Sequence, residues 1–584
     1  MKKIFYIVIL VITITTTNSC KKDFLVRPPI GALSADVVAT PDGVRKLLIG
    51  AYAALDGNNL GSSQPWSASP TNWIWGSVAG GDAHKGSDAG DQAPINPIAT
   101  WDITPSNGMA ADKWVVSYGG INRVNAVLQA LAKVQGMSAT DMTNIKAQTL
   151  FLRGHYYFDL KRFYNMVPWI SDSTTDFKQP NNIDIWPNIE TDFKFAFDNL
   201  PEIQGDAGRV NKWAAGAYLA KTYLYEKKYQ DAKTLFDQVI ANGKTTMGVN
   251  YDLLPSFEDN FRPEHELTSP ESVFAVEMSA NVGTGTINNA TNGEMLNYPY
   301  GNSPFGCCGF FQPTLDLANS YRTDANGLPY LDDYNLHPVK NDMNILSTAP
   351  FTPDAGNLDP RIDWTIGRRG LPYLDWGLHP GQAWIRSQPF SGPYAPKKNI
   401  WWHATEQFHD NNSWAPATAI NTFIIRFADV LLMAAEADAQ TGNLTDALTL
   451  VNRVRNRAAN PAGFVYKYKD DSDPSAGFSS TPAANYSIKP YPSFPTKEFA
   501  LQAIYFERKL EFGMEGVRFF DLSRWGIAGP TLNAFYAYEG AIVTDVTDGH
   551  FTTGKNEFYP IPQSEIDKTT VGGAATLTQN PGYQ

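Results

Sequence analysis

Cysteine is scarce in this chain. Three cysteines in 584 residues cannot build a disulfide framework, and none of them has metal-binding spacing. The eight histidines are scattered, and the sequence contains no Gly-x-Ser-x-Gly elbow, no His-Glu-x-x-His helix and no phosphate loop. These gaps leave the common hydrolase, metalloprotease and nucleotide chemistries without their residues. Past the N-terminus no apolar run approaches the roughly 20 residues that a membrane-spanning helix needs. Positive charge is in deficit too. A net charge of −12, spread along the chain, argues against nucleic acid or an anionic membrane face as the main partner.

Aromatic rings are plentiful instead. The 15 Trp and 27 Tyr fall in many segments without helical periodicity, so they suit either core packing or a stacking surface. The first residues form an address. Lys2 and Lys3 precede an apolar stretch, Ile4 to Ile14, and small or polar residues end in Thr17-Asn18-Ser19-Cys20. A cysteine there is the acceptor a bacterial lipoprotein needs, so residues 1–19 are expected to be a signal peptide and Cys20 the lipidated first residue. Thr17 stands where the lipobox usually has Leu, and the alternative is an ordinary signal peptide that happens to end near a Cys. Several acyl chains on one cysteine would anchor stably, at about 0.8 kcal/mol per buried methylene. Cys307 and Cys308 are then left as an adjacent pair, either a vicinal disulfide or two locally packed thiols.

Helical periodicity comes in blocks near 41–56, 111–164, 211–241, 423–459 and 496–525. Trp213 to Tyr225 with Gln230 to Ala241, and Phe423 to Thr441 with Leu444 to Ala459, look like helix pairs of the tetratricopeptide kind. The long stretches 57–109 and 251–419 exceed simple connectors and are expected to lie on the helical scaffold and carry specificity. The expected architecture is mainly α with minor β, residues 20–584 forming one body.

Several motifs carry a family resemblance. Leu152-Arg153-Gly154-His155-Tyr156-Tyr157-Phe158 leads to Val167-Pro168. Asp359-Pro360-Arg361 follows later, then Arg426-Phe427-Ala428-Asp429 through Glu436-Ala437, and Val451-Asn452-Arg453-Val454-Arg455. Glu507-Arg508-Lys509-Leu510-Glu511-Phe512 runs into Glu515-Gly516-Val517-Arg518, and Tyr559-Pro560-Ile561-Pro562 closes the series. In this order they resemble the SusD/RagB glycan-binding lipoproteins. The resemblance implies a SusD-like fold, no catalysis, no cofactor, and a lipid-anchored position on the outer face of the outer membrane. It also implies a SusC-like TonB-dependent transporter as partner and a glycan as ligand. The spacing of Arg426, Asp429 and Glu436, and of Glu507, Arg508, Glu511 and Glu515, follows single helix edges. These groups are read as ion pairs knitting helices, although two carboxylates could serve a surface glycoside hydrolase. A tetratricopeptide adaptor that binds only proteins is a third reading, and it leaves the Trp-rich stretches unexplained.

The ligand face of the resembled family is built from loops. Sugar rings offer apolar faces for Trp or Tyr and hydroxyls for Asp, Asn or Arg. On that chemistry the candidate ligand-binding residues are Asp56, Asn58, Asp82, Trp101, Cys307, Cys308, Arg368 and Tyr394. Trp73, Trp75, His84, Arg369, Tyr373, Trp376, Trp384, Arg386, Trp401 and Trp402 lie in the same loops. Asp56, Asn58 and Asp82 are equally good turn formers, and each Trp is equally a core residue. The loop arrangement resembles the fructan-binding branch, with starch-like and host-glycan branches open.

Overall fold

The first ordered helix shows how local chemistry sets the boundaries. In the computed structural model, which describes residues 38–58, 60, 64–282 and 289–584, helix α1 spans Pro41–Ala53. Thr40 caps it by accepting a hydrogen bond from the Gly43 N–H, and Pro41 occupies the first turn, where its missing N–H costs nothing. Asn107 caps α2 (Gly108–Leu131) and Ser138 caps α3 (Ala139–Tyr164) in the same way. The leader and Cys20 lie outside the described residues.

Helix α4 (Trp186–Asn199) was not expected, yet its signals are plain in retrospect. Pro187 sits in the first turn, and Ile189, Phe193 and Ala196 recur at helical spacing on the buried face. It packs against both α3 and α5 (Lys212–Tyr225). Helix α6 (Tyr229–Asn242) pairs with α5, α7 (Phe427–Gln440) pairs with α8 (Leu444–Ala458), and the two pairs meet where α6 packs on α7. The structure thus shows helix-pair packing without a tetratricopeptide motif in it.

The block expected as helix from Phe423 begins instead as a strand. Thr422–Arg426 pairs antiparallel with Ser272–Val276, because Thr, Phe, Ile and Ile favour a pleated surface. The last block, 496–525, also divides, into α9 (Lys497–Phe512) and α10 (Arg518–Trp525), and a further helix that was not expected, α11 (Ala528–Glu539), follows. The break falls at Gly516, whose φ of 70° and close approach to the Thr71 carbonyl leave no room for a Cβ.

The β content is minor. Four two-stranded antiparallel ladders pair Ala83–Gly86 with Phe310–Pro313, Ser272–Val276 with Thr422–Arg426, Ile366–Gly367 with Ala395–Pro396, and Tyr466–Tyr468 with Phe478–Pro482. One contiguous core runs from Val44 to Tyr583. A satellite aromatic core gathers Tyr298, Phe305, Tyr373, Trp384 and Trp401 under the loops. Among the described residues no helix is long and apolar enough to cross a membrane.

The motif carboxylates are in the interior. Arg361 bonds to Asp359 and pairs with Glu507 at 2.8 Å and Glu511 at 2.9 Å. Arg426 pairs with Glu271 at 2.9 Å, Glu511 at 2.6 Å and Glu515 at 3.0 Å. Arg455 holds Glu507 at 2.7 Å, and Arg457 meets both Glu271 and Glu511. Burial alone would raise the Glu511 carboxyl, but Arg457, Arg426 and Arg361 outweigh it and hold it well below the usual carboxylate range. Alongside, Asp429 is held by Arg508 and Lys221, and Glu436 by Arg524. This lattice ties α7, α8 and α9 to the Asp359–Arg361 turn. Its carboxylates are already spent on guanidinium groups and face no polymer.

Candidate functional site

The end of α1 opens the site. A 3-10 turn, Ala54–Asp56, follows the helix and stops at Gly57 with φ of 75°. Asp56 Oδ1 accepts the Asn58 N–H at 2.7 Å, and burial pushes the Asp56 carboxyl up. Gly57 lies hard against the Ala68 carbonyl, and Ser69 in turn touches Gly293. These close approaches stack the 56–58, 65–69 and 291–293 segments side by side.

Beside them lies a cleft of about 290 Å³ lined by Tyr52, Asp56, Arg209, Glu277, Ser279 and Asn289. The Arg209 guanidinium sits 4.8 Å from the centre of the Tyr52 ring. Arg209 Nη1 and Asn58 Nδ2 are buried and have no acceptor among the described residues, which is costly unless something else supplies one. Burial also pushes the Glu277 carboxyl up, against the hydrogen bond from Asn421. The cleft therefore combines the Arg209 donor, the Asp56 and Glu277 carboxylates and the Tyr52 ring face, a set suited to hydroxyl recognition, while Asn58 lies outside its lining.

Cys307 is connected to this cleft through Ala290, which packs with it and follows the lining residue Asn289 in the chain. Cys307 and Cys308 form a vicinal disulfide across a cis peptide bond. Gly306 and Gly309 flank it with φ of 75° and 79°, turns that side chains resist. The Gly309 N–H donates to the Tyr298 carbonyl at 2.8 Å, and Phe305 anchors the loop in the aromatic satellite core. Cys307 packs on a small patch of Ala290, Met295, Ala415 and Ala417.

Trp414 was missed in the sequence. It lies in a loop closed by an antiparallel bridge between His409 and Thr418. Asp410 receives the Asn412 and Asn281 N–H groups at 2.8 and 3.0 Å, and Asn281 receives that of Asn411 at 3.0 Å. The loop thus holds Trp414 at 66 % exposure, one residue from the Ala415 that packs with Cys307. An apolar ring inside the turn-forming run Asp410-Asn411-Asn412-Ser413 was the available signal.

The eight candidates divide by depth. Asp56, Asn58 and Cys307 are partly exposed, whereas Cys308 is buried at 8 % in the main core. Trp101 lies deeper: it is 2 % exposed, its Nε1 donates to the Ala79 carbonyl at 3.0 Å, and its ring stacks on Tyr559 at 5.1 Å between Phe519 and Phe551. It is a core ring and offers no platform. Asp82 is fully enclosed, and burial pushes its carboxyl up to about 7. Arg368 is committed to Asp363 by two bonds of 2.8 Å. Tyr394 is buried beside β strands near it, its carbonyl accepting from Gln312 at 3.1 Å. These four are corrected to interior positions.

The neighbouring rings follow the same division. Trp73 and Trp75 donate to the Gly293 and Ser67 carbonyls from the core. Arg386 is at the surface edge, 2.7 Å from Asp91 and 4.9 Å from the Tyr300 ring centre. His84 is enclosed between Glu539 at 2.9 Å and Asp545 at 3.0 Å. Burial alone would lower its pKa, but the two carboxylates outweigh it and raise it to about 10. Among the described residues no cluster of His, Cys, Asp and Glu could hold a metal ion.

The SusD family profile matches residues 270–583, and a second profile, described as starch-binding and associating with the outer membrane, matches residues 77–224. The chain belongs to the SusD family. A SusD-like protein of Formosa agariphila is 22 % identical over the full length of both chains. Among solved structures, a SusD superfamily protein from Bacteroides vulgatus aligns with a TM-score of 0.66 and 21 % identity, over 93 % of this chain and 99 % of that one. A laminarin-binding SusD-like protein aligns with a TM-score of 0.64 and 23 % identity, over 93 % and 100 % of the two chains. Surface glycan-binding protein A from Bacteroides thetaiotaomicron, solved with laminarihexaose, aligns at 0.61 with 19 % identity over 93 % and 99 %. Membership in the family supports non-catalytic glycan binding at the outer-membrane surface.

Proposed function

We propose that this protein captures a neutral glycan on the outer face of the outer membrane and passes it, uncut, to a SusC-like TonB-dependent transporter. Cys20 is its lipid anchor, and the face around the 290 Å³ cleft is its binding surface. The observation that supports the reading is the Trp414 ring, 66 % exposed and one residue from the Ala415 that packs with Cys307, together with the Arg209 Nη1 of the cleft, which lacks an acceptor. A ring stacks on sugar C–H faces, the disulfide adds a rigid apolar edge, and hydroxyl oxygens would satisfy the donor.

Laminarin is the first ligand to try, because two neighbours in fold are named with laminarin or its hexaose. Levan is the second, from the resemblance to the fructan-binding branch. Affinity electrophoresis of the mature protein in gels containing laminarin, levan, inulin, starch or xylan tests the reading. One gel should retard the protein, with no reducing ends released during incubation. Unretarded migration in all of them, or shortening of a polymer, would overturn it.

A further inference from the structure

Trp401 and Trp402 are consecutive, and Trp402, in extended backbone, packs against the outside of the satellite core that Trp401 enters. Trp401 enters the satellite aromatic core and stacks on His409 at 4.3 Å. Trp402 enters a different cavity, of about 160 Å³, whose other walls include Glu258, Trp364, Lys397, Phe464 and Phe478. None of these residues belongs to the Trp414 face.

The walls of this cavity are held from outside. Trp402 Nε1 donates to Glu258 Oε1 at 2.7 Å, and Trp364 Nε1 donates to the Gly463 carbonyl at 2.7 Å. Their ring centres stand 6.4 Å apart with planes inclined at 44°, and Phe478 meets Trp402 edge-on at 6.0 Å. Phe478 comes from the Tyr466–Tyr468 and Phe478–Pro482 hairpin. Glu258 is 8 % exposed, and no described residue donates to its Oε2. The volume exceeds the ~10–15 Å³ that one water requires and falls short of the ~300 Å³ of a drug-sized pocket. One small ring fits; a chain does not.

We propose that this cavity is a second saccharide site that takes a single neutral sugar ring, an end or branch unit, with Trp364, Trp402 and Phe478 on its C–H faces and Glu258 on its hydroxyls. Charge disfavours a cationic ligand: the Arg262 guanidinium already lies 4.8 Å from the Trp402 ring and the Lys397 amine 5.2 Å from that of Trp364, so a cationic guest meets like charge. Burial pushes the Glu258 carboxyl up to about 7 against the pull of Arg262, which lets it both donate to and accept from hydroxyls near neutral pH. The site shares with the glycan-capture reading only its class of ligand.

Saturation-transfer NMR on the intact mature protein tests it, with glucose, fructose, galactose, mannose and xylose offered separately. At least one should give a signal that W402A and F478A each weaken about ten-fold or more, a loss near 1.4 kcal/mol. W414A should keep that signal. Silence from all five sugars overturns the proposal, as does a signal untouched by the two variants or one lost with Trp414 instead. If W402A melts early, F478A decides, since its ring sits half-exposed on the hairpin. Failure of polymer retention with a Trp402-dependent signal intact would refute the capture reading alone.

Discussion

The arginines of the interior lattice and the arginine of the cleft show how differently one side chain is used in two parts of the molecule. Arg361, Arg426, Arg455 and Arg457 each meet at least one carboxylate and are nearly solvent-free. Arg209 leans on a tyrosine ring and leaves one nitrogen without an acceptor. The Arg457 Nε also lacks an acceptor, but it is enclosed within the lattice, whereas the unpaired Arg209 donor stands at a cleft and is available to a ligand. The difference teaches that motif carboxylates here mark the scaffold and that the binding face has to be sought among groups the fold leaves incomplete.

The sharpest way to break that comparison is to remove one lattice carboxylate. Glu511→Ala takes away a carboxylate shared by Arg361, Arg426 and Arg457, each of which keeps another partner, and loss of one partner of a buried pair typically costs about 3–5 kcal/mol. Urea unfolding should show a drop of at least that order. An unchanged midpoint would mean the lattice is not what ties α7, α8 and α9 together. Trp101→Ala belongs on the same side, with an expected loss of about 3–5 kcal/mol for truncating a core aromatic. Its glycan retention, measured on the folded fraction, should match the parent.

On the loop face the signs reverse. Trp414→Ala should weaken retention in the active glycan gel about ten-fold, near 1.4 kcal/mol, while the melting temperature stays within a degree or so of the parent. Reducing the Cys307–Cys308 bond should also leave melting almost unchanged, because linking neighbours closes no loop and removes little chain entropy. Retention should fall by a smaller factor than in W414A. A large melting shift on reduction would move the disulfide from the binding face to the scaffold.

The smallest test is a pH series. The His84 pKa, about 10 in the folded protein, stands above its unfolded value of about 6.5. Its contribution to stability is complete below the unfolded pKa and is lost as pH rises from there through about 10. The denaturation midpoint should therefore slope downward across that window, and His84→Gln should flatten the slope. A parallel slope in the variant would assign the effect to other groups.

Much of the scaffold was legible along the chain. Thr40 announced a helix start through its own side chain, Asn107 and Ser138 carry the same signal and were not read, and the order of the motifs indicated the family. Trp186–Asn199 was equally local and was overlooked, while Phe423–Arg426 read as helix because Phe423, Ile424 and Ile425 lead, past Arg426, directly into the apolar residues of α7. For the site, Asp56 and the Cys307–Cys308 pair were within reach, since turn formers and an adjacent cysteine pair advertise themselves.

What the sequence determined by itself were the features set by neighbours along the chain: caps, periodicity, glycine turns and the pairing of charges at helical spacing. Tertiary structure alone decided which rings face outward. Trp101 and Trp414 have the same indole, but Tyr559, some 458 positions away, closes over Trp101, and a bridged loop lifts Trp414 into solvent. Exposure is a property of who packs against a residue, and those partners come from distant parts of the chain.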